Sequence, residues 1–177
     1  MTASNHLDDK LLALRESFDR SFAEAPSEAR EAELDFLAIR IAGDPYALRL
    51  SEIQSLHADK QLALAPSLLP ELLGIAGFRG VLSPVYDFGA LLGYAPALAP
   101  RWLVLARSAS PIGFAFEAFD AHLRVSPSLV STPDSGAQVL LRGAVQHGNC
   151  ALPLLHLPSL VGAIAQRIKA HGPAQER

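Results

Sequence analysis

The stretch from Leu72 to Gly93, LLGIAGFRGVLSPVYDFGALLG, constrains the fold more than any other part of the chain. Gly74, Gly77 and Gly80 recur every three residues, and glycine permits a positive φ or a close approach of two backbones. The valines and the tyrosine that follow favour an extended chain, and the proline among them limits that strand to an edge or a bulge. The stretch therefore predicts strands that turn sharply, with Arg79 as its long cationic side chain.

Composition indicates a globular protein with a near-neutral body. The chain has 177 residues, of which 50% are hydrophobic, enough to bury a sizeable core in one compact unit or two small lobes. Residues 1–33 carry eight acidic and four basic side chains, and the remainder carries ten and eleven. Because non-specific affinity for nucleic acid and for anionic membranes depends on clustered Lys and Arg, we expect neither partner.

The single cysteine, Cys150, excludes an internal disulfide framework and suits a reducing compartment. The first residues lack the basic and apolar regions of a signal peptide, and no apolar run approaches the roughly 18 residues that a spanning helix needs. We therefore expect a cytoplasmic protein without direct membrane insertion.

Residues 1–33 are predicted to form an acidic helical extension. Apolar residues recur at spacings of three and four from Leu7 to Phe22, which is typical of an amphipathic helix, and Pro26 ends it. The apolar stripe either packs on the chain's own core or is offered to a partner, including a second copy of the chain.

From Leu34 onward, short strand-sized segments separated by Gly, Pro, Asp and Ser predict a mainly β body. Gly43-Asp44-Pro45 is predicted to turn the first hairpin, and Ser51–Leu56 to form a helical turn or a bent strand. The other predicted elements are the strands Trp102–Ala106, Ile112–Glu117, His122–Val125, Val139–Val145 and Ala151–Leu155, the short helix Phe88–Leu92 capped by Asp87, and the C-terminal helix Leu157–His171.

No pattern for catalysis, cofactor binding or metal binding emerges from the sequence. His147 and Cys150 flank a Gly-Asn turn, where that separation is ordinary for a hairpin, and His57 and Asp59 accompany no nucleophile motif. The histidines show no metal-binding spacing, so we predict no metal, no cofactor and no enzymatic activity. Arg79 differs, because an arginine between an aromatic residue and a glycine has little freedom to lose on docking, and arginine is enriched at interface hot spots.

The same residues resemble a known family. The segment Gly74–Phe88, GIAGFRGVLSPVYDF, with Leu-Leu-Gly at 91–93, resembles the G-x-x-N-L-R-G-x-x-x-P-V-x-D-L…LG signature of CheW-like domains, the bacterial chemotaxis coupling proteins. The strand Phe36–Ile41, the Tyr-Ala-Leu at 46–48 and the run Gly113–Glu117 agree with the family's order. The resemblance covers about residues 34–168.

The resemblance implies two small SH3-like, five-stranded β-barrel lobes, about residues 34–93 and 101–156 and interdigitated, followed by a C-terminal helix at 157–171. It also implies a non-enzymatic adaptor that bridges the cytoplasmic tip of chemoreceptors and the regulatory domain of a chemotaxis-type histidine kinase. Arg79 falls on the family's arginine, which is associated with these contacts. The other residues that the resemblance places near binding surfaces are Phe78, Ile53, Leu56 and Val85.

Departures from the signature leave the pathway open. Gly77 replaces the family's Asn, Phe78 its Leu, Glu117 its Asp, and His156 lies where a Leu-Asp pair often occurs. The output is therefore flagellar chemotaxis, twitching motility or another response. The alternative function is a structural or self-assembling CheW-like protein that oligomerises through its N-terminal helix without coupling receptor to kinase.

Overall fold

The computed structural model of the protein describes residues 32–67, 69–95, 100–132 and 140–171. Within them, eleven β-strands and two α-helices follow in chain order, with 3-10 turns at Leu50–Glu52 and Pro127–Leu129. The elements are β1 (Leu34–Ile41), β2 (Asp44–Arg49), β3 (Ile53–Ala58), β4 (Leu72–Phe78), β5 (Val81–Asp87), α1 (Phe88–Leu92), β6 (Trp102–Ala106), β7 (Gly113–Phe116), β8 (Ala118–Val125), β9 (Val130–Ser131), β10 (Leu141–His147), β11 (Cys150–Leu155) and α2 (Leu157–His171).

The described strands form two sheets. The six-stranded sheet has the order β8-β1-β2-β11-β10-β9, and the five-stranded sheet has the order β3-β6-β7-β5-β4. Neighbours are antiparallel apart from β2 with β11 and β5 with β7. The five-stranded sheet comes from residues 53–116, and the six-stranded sheet comes from the segments on either side. The lobe boundary at residues 93–101 stays a prediction.

Strand β1 shows why the interior divides into separate clusters. Its side chains alternate between two faces, as in any strand, yet both faces are buried. Phe36 and Ala38 pack with Leu123 in a cluster within the six-stranded sheet. Leu37 and Ile39 instead join the largest cluster, to which both helices and the five-stranded sheet contribute. The near-continuous apolar run in β1 is thus explained by burial on both sides.

Helix α1 begins and ends as the sequence predicts. The Asp87 carboxylate accepts a hydrogen bond from the Gly89 backbone N–H at 2.8 Å, which satisfies a donor that the first turn leaves free. Gly93 ends the helix in the left-handed region with φ 90°. This tight cap carries the chain from β5 directly into the core.

Helix α2 docks on the body through apolar packing and through contacts with residues far away in sequence. Leu160 is fully buried, which contributes about 1.5–3 kcal/mol. The Glu52 carboxylate accepts a hydrogen bond from the Leu157 N–H at 2.9 Å and so caps the first turn. Arg167 forms an ion pair with Glu71, next to β4. The predicted C-terminal helix is therefore confirmed.

The first hairpin turns one residue earlier than predicted. Ala42 and Gly43 form its loop, with φ of 52° and 84°, and Asp44 already pairs with Ile41. The proline that suggested a turn, Pro45, lies inside β2 instead, near the start of the strand, where proline is tolerated.

The mainly β class is confirmed, while the closure of each lobe into a five-stranded barrel stays a prediction. The Ser51–Leu56 segment combines the end of a 3-10 turn with the start of β3. None of the described helices is long and apolar enough to cross a membrane. The predicted helix at Leu7–Phe22 lies outside the described residues.

Candidate functional site

The β4–β5 hairpin ends in a two-residue turn made by Arg79 and Gly80. Phe78 pairs with Val81 across the strands, and the two loop residues have φ of 48° and 84°. Positive φ at both positions is what a type I′ turn requires, because its twist matches that of the flanking strands. Gly80 adopts this conformation freely, whereas a left-handed backbone costs about 1–2 kcal/mol for a residue with a Cβ such as Arg79. The fold therefore holds an arginine in an unfavourable backbone conformation at the tip of a hairpin.

A second glycine of the motif is explained by a close approach. A Cβ on Gly74 would lie 2.4 Å from the carbonyl oxygen of Ala63, which bridges to Ile75 next to it. Gly77 faces open space and needs no positive φ, so nothing in the structure demands glycine there.

The Arg79 side chain lacks an internal partner within the described part of the chain. Four other arginines form ion pairs there, namely Arg40 with Asp120 at 3.0 Å, Arg101 with Asp59 at 3.2 Å, Arg124 with Asp35 at 3.2 Å, and Arg167 with Glu71. Arg79 is exposed and makes neither an ion pair nor a hydrogen bond with the described residues. Its guanidinium donors are therefore available to a ligand or a partner.

Phe78 is the buried residue that directly precedes the turn. It is 5% exposed, and its ring centroid lies 5.0 Å from that of His57 on β3. The Lys60 ammonium lies 5.2 Å from the same ring, at a distance typical of a cation–π contact. Phe78 thus anchors the hairpin to the far edge of its own sheet, and a second cation besides Arg79 lies against its ring.

Two exposed apolar side chains follow the turn. Val81 is 52% exposed and Leu82 is 76% exposed, although both lie in β5. Single exposed apolar residues are common, but these two follow directly after an arginine, a residue that is enriched in protein interfaces.

A concave site of about 290 Å³ opens beside the turn, and we call it the hairpin pocket. Eleven residues line it, from β3, β4, β5, β6 and the β6–β7 loop, and none of them is acidic. One of them, Ser83, is fully buried, and its hydroxyl has no hydrogen-bond partner among the described residues. An unsatisfied buried hydroxyl costs about 1–3 kcal/mol, so this side chain is unusual in a folded interior.

His57 forms the wall of the hairpin pocket with Ser55. The Ser55 Oγ lies 2.9 Å from His57 Nε2. Burial lowers the pKa of His57, and the charges of Lys60 and Arg79 lower it further. The pair lacks the orienting carboxylate of a hydrolase triad among the described residues, because Asp59 instead pairs with Arg101.

The structure places the five predicted site residues at different depths. Arg79 reaches the surface, and Phe78 lies directly beneath it. Ile53 is buried in the large cluster, Leu56 packs against that cluster, and Val85 is fully buried in the small cluster behind the hairpin. Of the five, Arg79 is exposed, Leu56 is half-buried, and the other three are buried.

Sequence reasoning missed the rest of the hairpin pocket. Ser55 and His57 are two residues apart on β3 and so share one face of the strand, which could have been predicted from the sequence. The β6–β7 loop residues Ser108 and Pro111 carry no such pattern, because only the pairing of β6 and β7 brings them to the site. Among the described residues, no group of three or more His, Cys, Asp or Glu side chains is placed to hold a metal ion.

The fold and the site describe a small two-sheet β domain that presents a charged hairpin turn. The CheW-like domain matches residues 35–165, and the chain therefore belongs to the CheW-like domain family. The fold is similar to that in the crystal structure of the scaffolding protein TtCheW from Thermoanaerobacter tengcongensis, with a TM-score of 0.64 and 13% sequence identity over 70% of this chain and 89% of that one. No curated protein sequence matches this chain.

Proposed function

We propose that the protein is a non-enzymatic cytoplasmic adaptor that couples chemoreceptors to a chemotaxis-type histidine kinase, in chemotaxis or a related motility pathway. Membership of the CheW-like family supports a chemotaxis-type adaptor, and the similar structure is that of a scaffolding protein. The observation that carries the proposal is the Arg79-Gly80 turn, which presents an arginine without an internal partner beside exposed apolar side chains.

The turn suits docking for a physical reason. A type I′ turn fixes the backbone of Arg79, so less conformational freedom is lost when a partner binds. A guanidinium offers five donors in a planar fork, which favours a carboxylate in a defined orientation. Val81 and Leu82 add apolar area that a partner can remove from water. Affinity would come from the apolar contact, and Arg79 would fix the orientation.

Phe78 contributes by holding this turn in place. Its ring packs between the hairpin and His57, so its removal would loosen the geometry at Arg79. Ile53, Leu56 and Val85 contribute as the packed layers on which the docking surface rests. We accordingly assign direct contact to Arg79 and support to the other four residues.

The proposal is tested by measuring the affinity of the full chain for the regulatory domain of its cognate kinase and for the receptor tip. We expect wild-type chain to bind both, and Arg79→Gln to weaken at least one of them about tenfold, as for an interface hot spot. Arg40→Gln is the matched control, because it removes an exposed guanidinium that already has an internal partner. The adaptor function would be refuted if the wild-type chain failed to bind the kinase regulatory domain or failed to bind the receptor tip.

A further inference from the structure

We infer that the hairpin pocket is a binding site for a carboxylate, supplied either by an acidic side chain of a docking protein or by a free small carboxylic acid. The lining residues Arg79, Ser55 and Ser83 supply a cation and two hydroxyls, and a second cation, Lys60, lies against the ring of the lining residue Phe78. The side-chain source rests on the proposed adaptor function, whereas the pocket's preference for a carboxylate does not.

The charge distribution favours a negatively charged ligand. None of the residues lining the hairpin pocket is acidic, and both nearby cations lack a carboxylate partner within the described residues. Burial lowers the pKa of His57, and the charges of Lys60 and Arg79 lower it further, so both cations act on this lining residue. An anion in the pocket would relieve this repulsion and would receive charge-assisted hydrogen bonds.

The buried Ser83 hydroxyl is the second observation that points to a ligand. It is one of the lining residues, it is fully buried, and its hydroxyl has no partner among the described residues. Buried hydroxyls in folded proteins nearly always have a partner. A ligand oxygen that reaches Ser83 would supply one.

The size and walls of the site select the class of anion. About 290 Å³ is at or below the lower end of pockets for small molecules, so a nucleotide is too large. Phe78, Leu105 and Pro111 give the walls apolar area that suits the methylene groups of an aspartate, a glutamate or a short acid. Phosphate sites often use the backbone N–H donors at the start of a helix, and none of the residues that line the hairpin pocket belongs to an α-helix.

The test uses sodium propionate, which has the length of a glutamate side chain, titrated into isotopically labelled full chain at constant ionic strength. We expect saturable NMR shifts of the His57 ring and a rise of the His57 pKa, because a nearby anion stabilises the imidazolium form. Arg79→Gln and Lys60→Gln should each weaken propionate about tenfold. Arg124→Gln, which removes a paired guanidinium on the other sheet, should leave the affinity unchanged.

Ser83→Ala separates a ligand site from a packing irregularity. We expect this variant to raise the melting temperature of the free chain, because an unsatisfied hydroxyl is removed, and to weaken propionate about threefold. Greater stability with unchanged propionate affinity would overturn the assignment of Ser83. Shifts that do not saturate in wild-type chain, or tighter binding of inorganic phosphate than of propionate, would overturn the carboxylate site itself.

The two sources are distinguished by adding the kinase regulatory domain to chain saturated with propionate. Displacement of propionate assigns the carboxylate to an acidic side chain of the partner, and binding without displacement assigns the pocket to a free acid. Failure of the domain to bind chain in the absence of propionate would refute the adaptor function while leaving the propionate result standing, so the two failures are distinguishable.

Discussion

Two hairpins of this protein end in the same backbone turn and use it in opposite ways. Ala42-Gly43 has φ of 52° and 84°, and Arg79-Gly80 has φ of 48° and 84°. In the β1–β2 hairpin, the Gly43 N–H donates to Glu117 at 2.9 Å, and Arg40 donates to the Gly43 carbonyl at 3.1 Å. That turn is tied to its own sheet.

Within the described part of the chain, no such side-chain hydrogen bond reaches the β4–β5 turn. Its arginine occupies the turn itself, bonds to none of the described residues, and has exposed Val81 beside it. The two turns share their backbone geometry. They differ in where the arginine lies and in whether its guanidinium has a partner among the described residues.

The largest expected effect is on partner binding. Arg79→Glu should lower the affinity for the kinase regulatory domain about tenfold or more, because a carboxylate then faces the surface that the guanidinium had matched. Arg79→Lys should fall between wild type and Arg79→Glu, since it keeps the charge but loses the fork. Isothermal titration calorimetry gives both values, and equal affinities for all three chains would remove the distinction between the two turns.

The next largest effect tests whether the backbone conformations of the two turns cost the same free energy. Gly43→Val and Gly80→Val should each lower the free energy of unfolding by about 1–2 kcal/mol, because a β-branched residue is strained at positive φ. A Cβ meets nothing within 4 Å at either position, so the loss reports conformation alone. Urea denaturation measures it. Losses that differ by more than about 1 kcal/mol would show that the turns are not equivalent.

A smaller effect distinguishes Arg40 from Arg79 by what each side chain contributes to the free energy of unfolding. Arg40→Gln breaks an exposed ion pair with Asp120 and a hydrogen bond to the turn, and should lower the free energy of unfolding by about 0.5–1 kcal/mol. Arg79→Gln should change it by less than about 0.5 kcal/mol, because the side chain is exposed and unpaired within the described residues. A larger loss of unfolding free energy for Arg79→Gln would show that Arg79 stabilises the fold and is not available to a partner.

The smallest effect is on the pH dependence of stability. Burial, Lys60 and Arg79 lower the pKa of His57 below its ordinary 6.5, so the unfolded chain takes up a proton at a higher pH than the folded chain does. The free energy of unfolding should therefore fall as the pH drops below 6.5, until the folded-state pKa is passed. His57→Gln should flatten this fall in urea titrations carried out across that range.

NMR titration adds a direct check on the cause of the pKa shift. Lys60→Gln should raise the pKa of His57, because a neighbouring positive charge is removed. Lys169→Gln, on the exposed part of α2, should leave it unchanged. An unaltered His57 pKa in Lys60→Gln would mean that burial alone causes the shift.

Local patterns predicted the elements of this fold well where one signal was dominant. Asp87 marked the start of α1, and a short apolar run located Trp102–Ala106 as a strand. The prediction failed by one residue at Pro45, because a proline after Asp indicates a turn as readily as the start of a strand.

The pairing of strands could not be predicted in the same way. The parallel contacts of β2 with β11 and of β5 with β7 join segments far apart in the chain, and no local pattern encodes them. The turn at Arg79 was predictable because it is local. The hairpin pocket was not, since Ser55, Ser83 and Ser108 meet only through the pairings of β3 with β6, β6 with β7 and β7 with β5.

The account is tested most directly by asking whether the chain bridges its two partners. Receptor-containing membranes, kinase and full chain are mixed and sedimented, and the kinase in the pellet is measured with wild-type, Arg79→Glu and Arg40→Gln chains. We predict that kinase sediments with wild-type and Arg40→Gln chains and that most of it is lost with Arg79→Glu. Equal recovery with Arg79→Glu, or recovery that does not depend on adding the chain, would contradict the account.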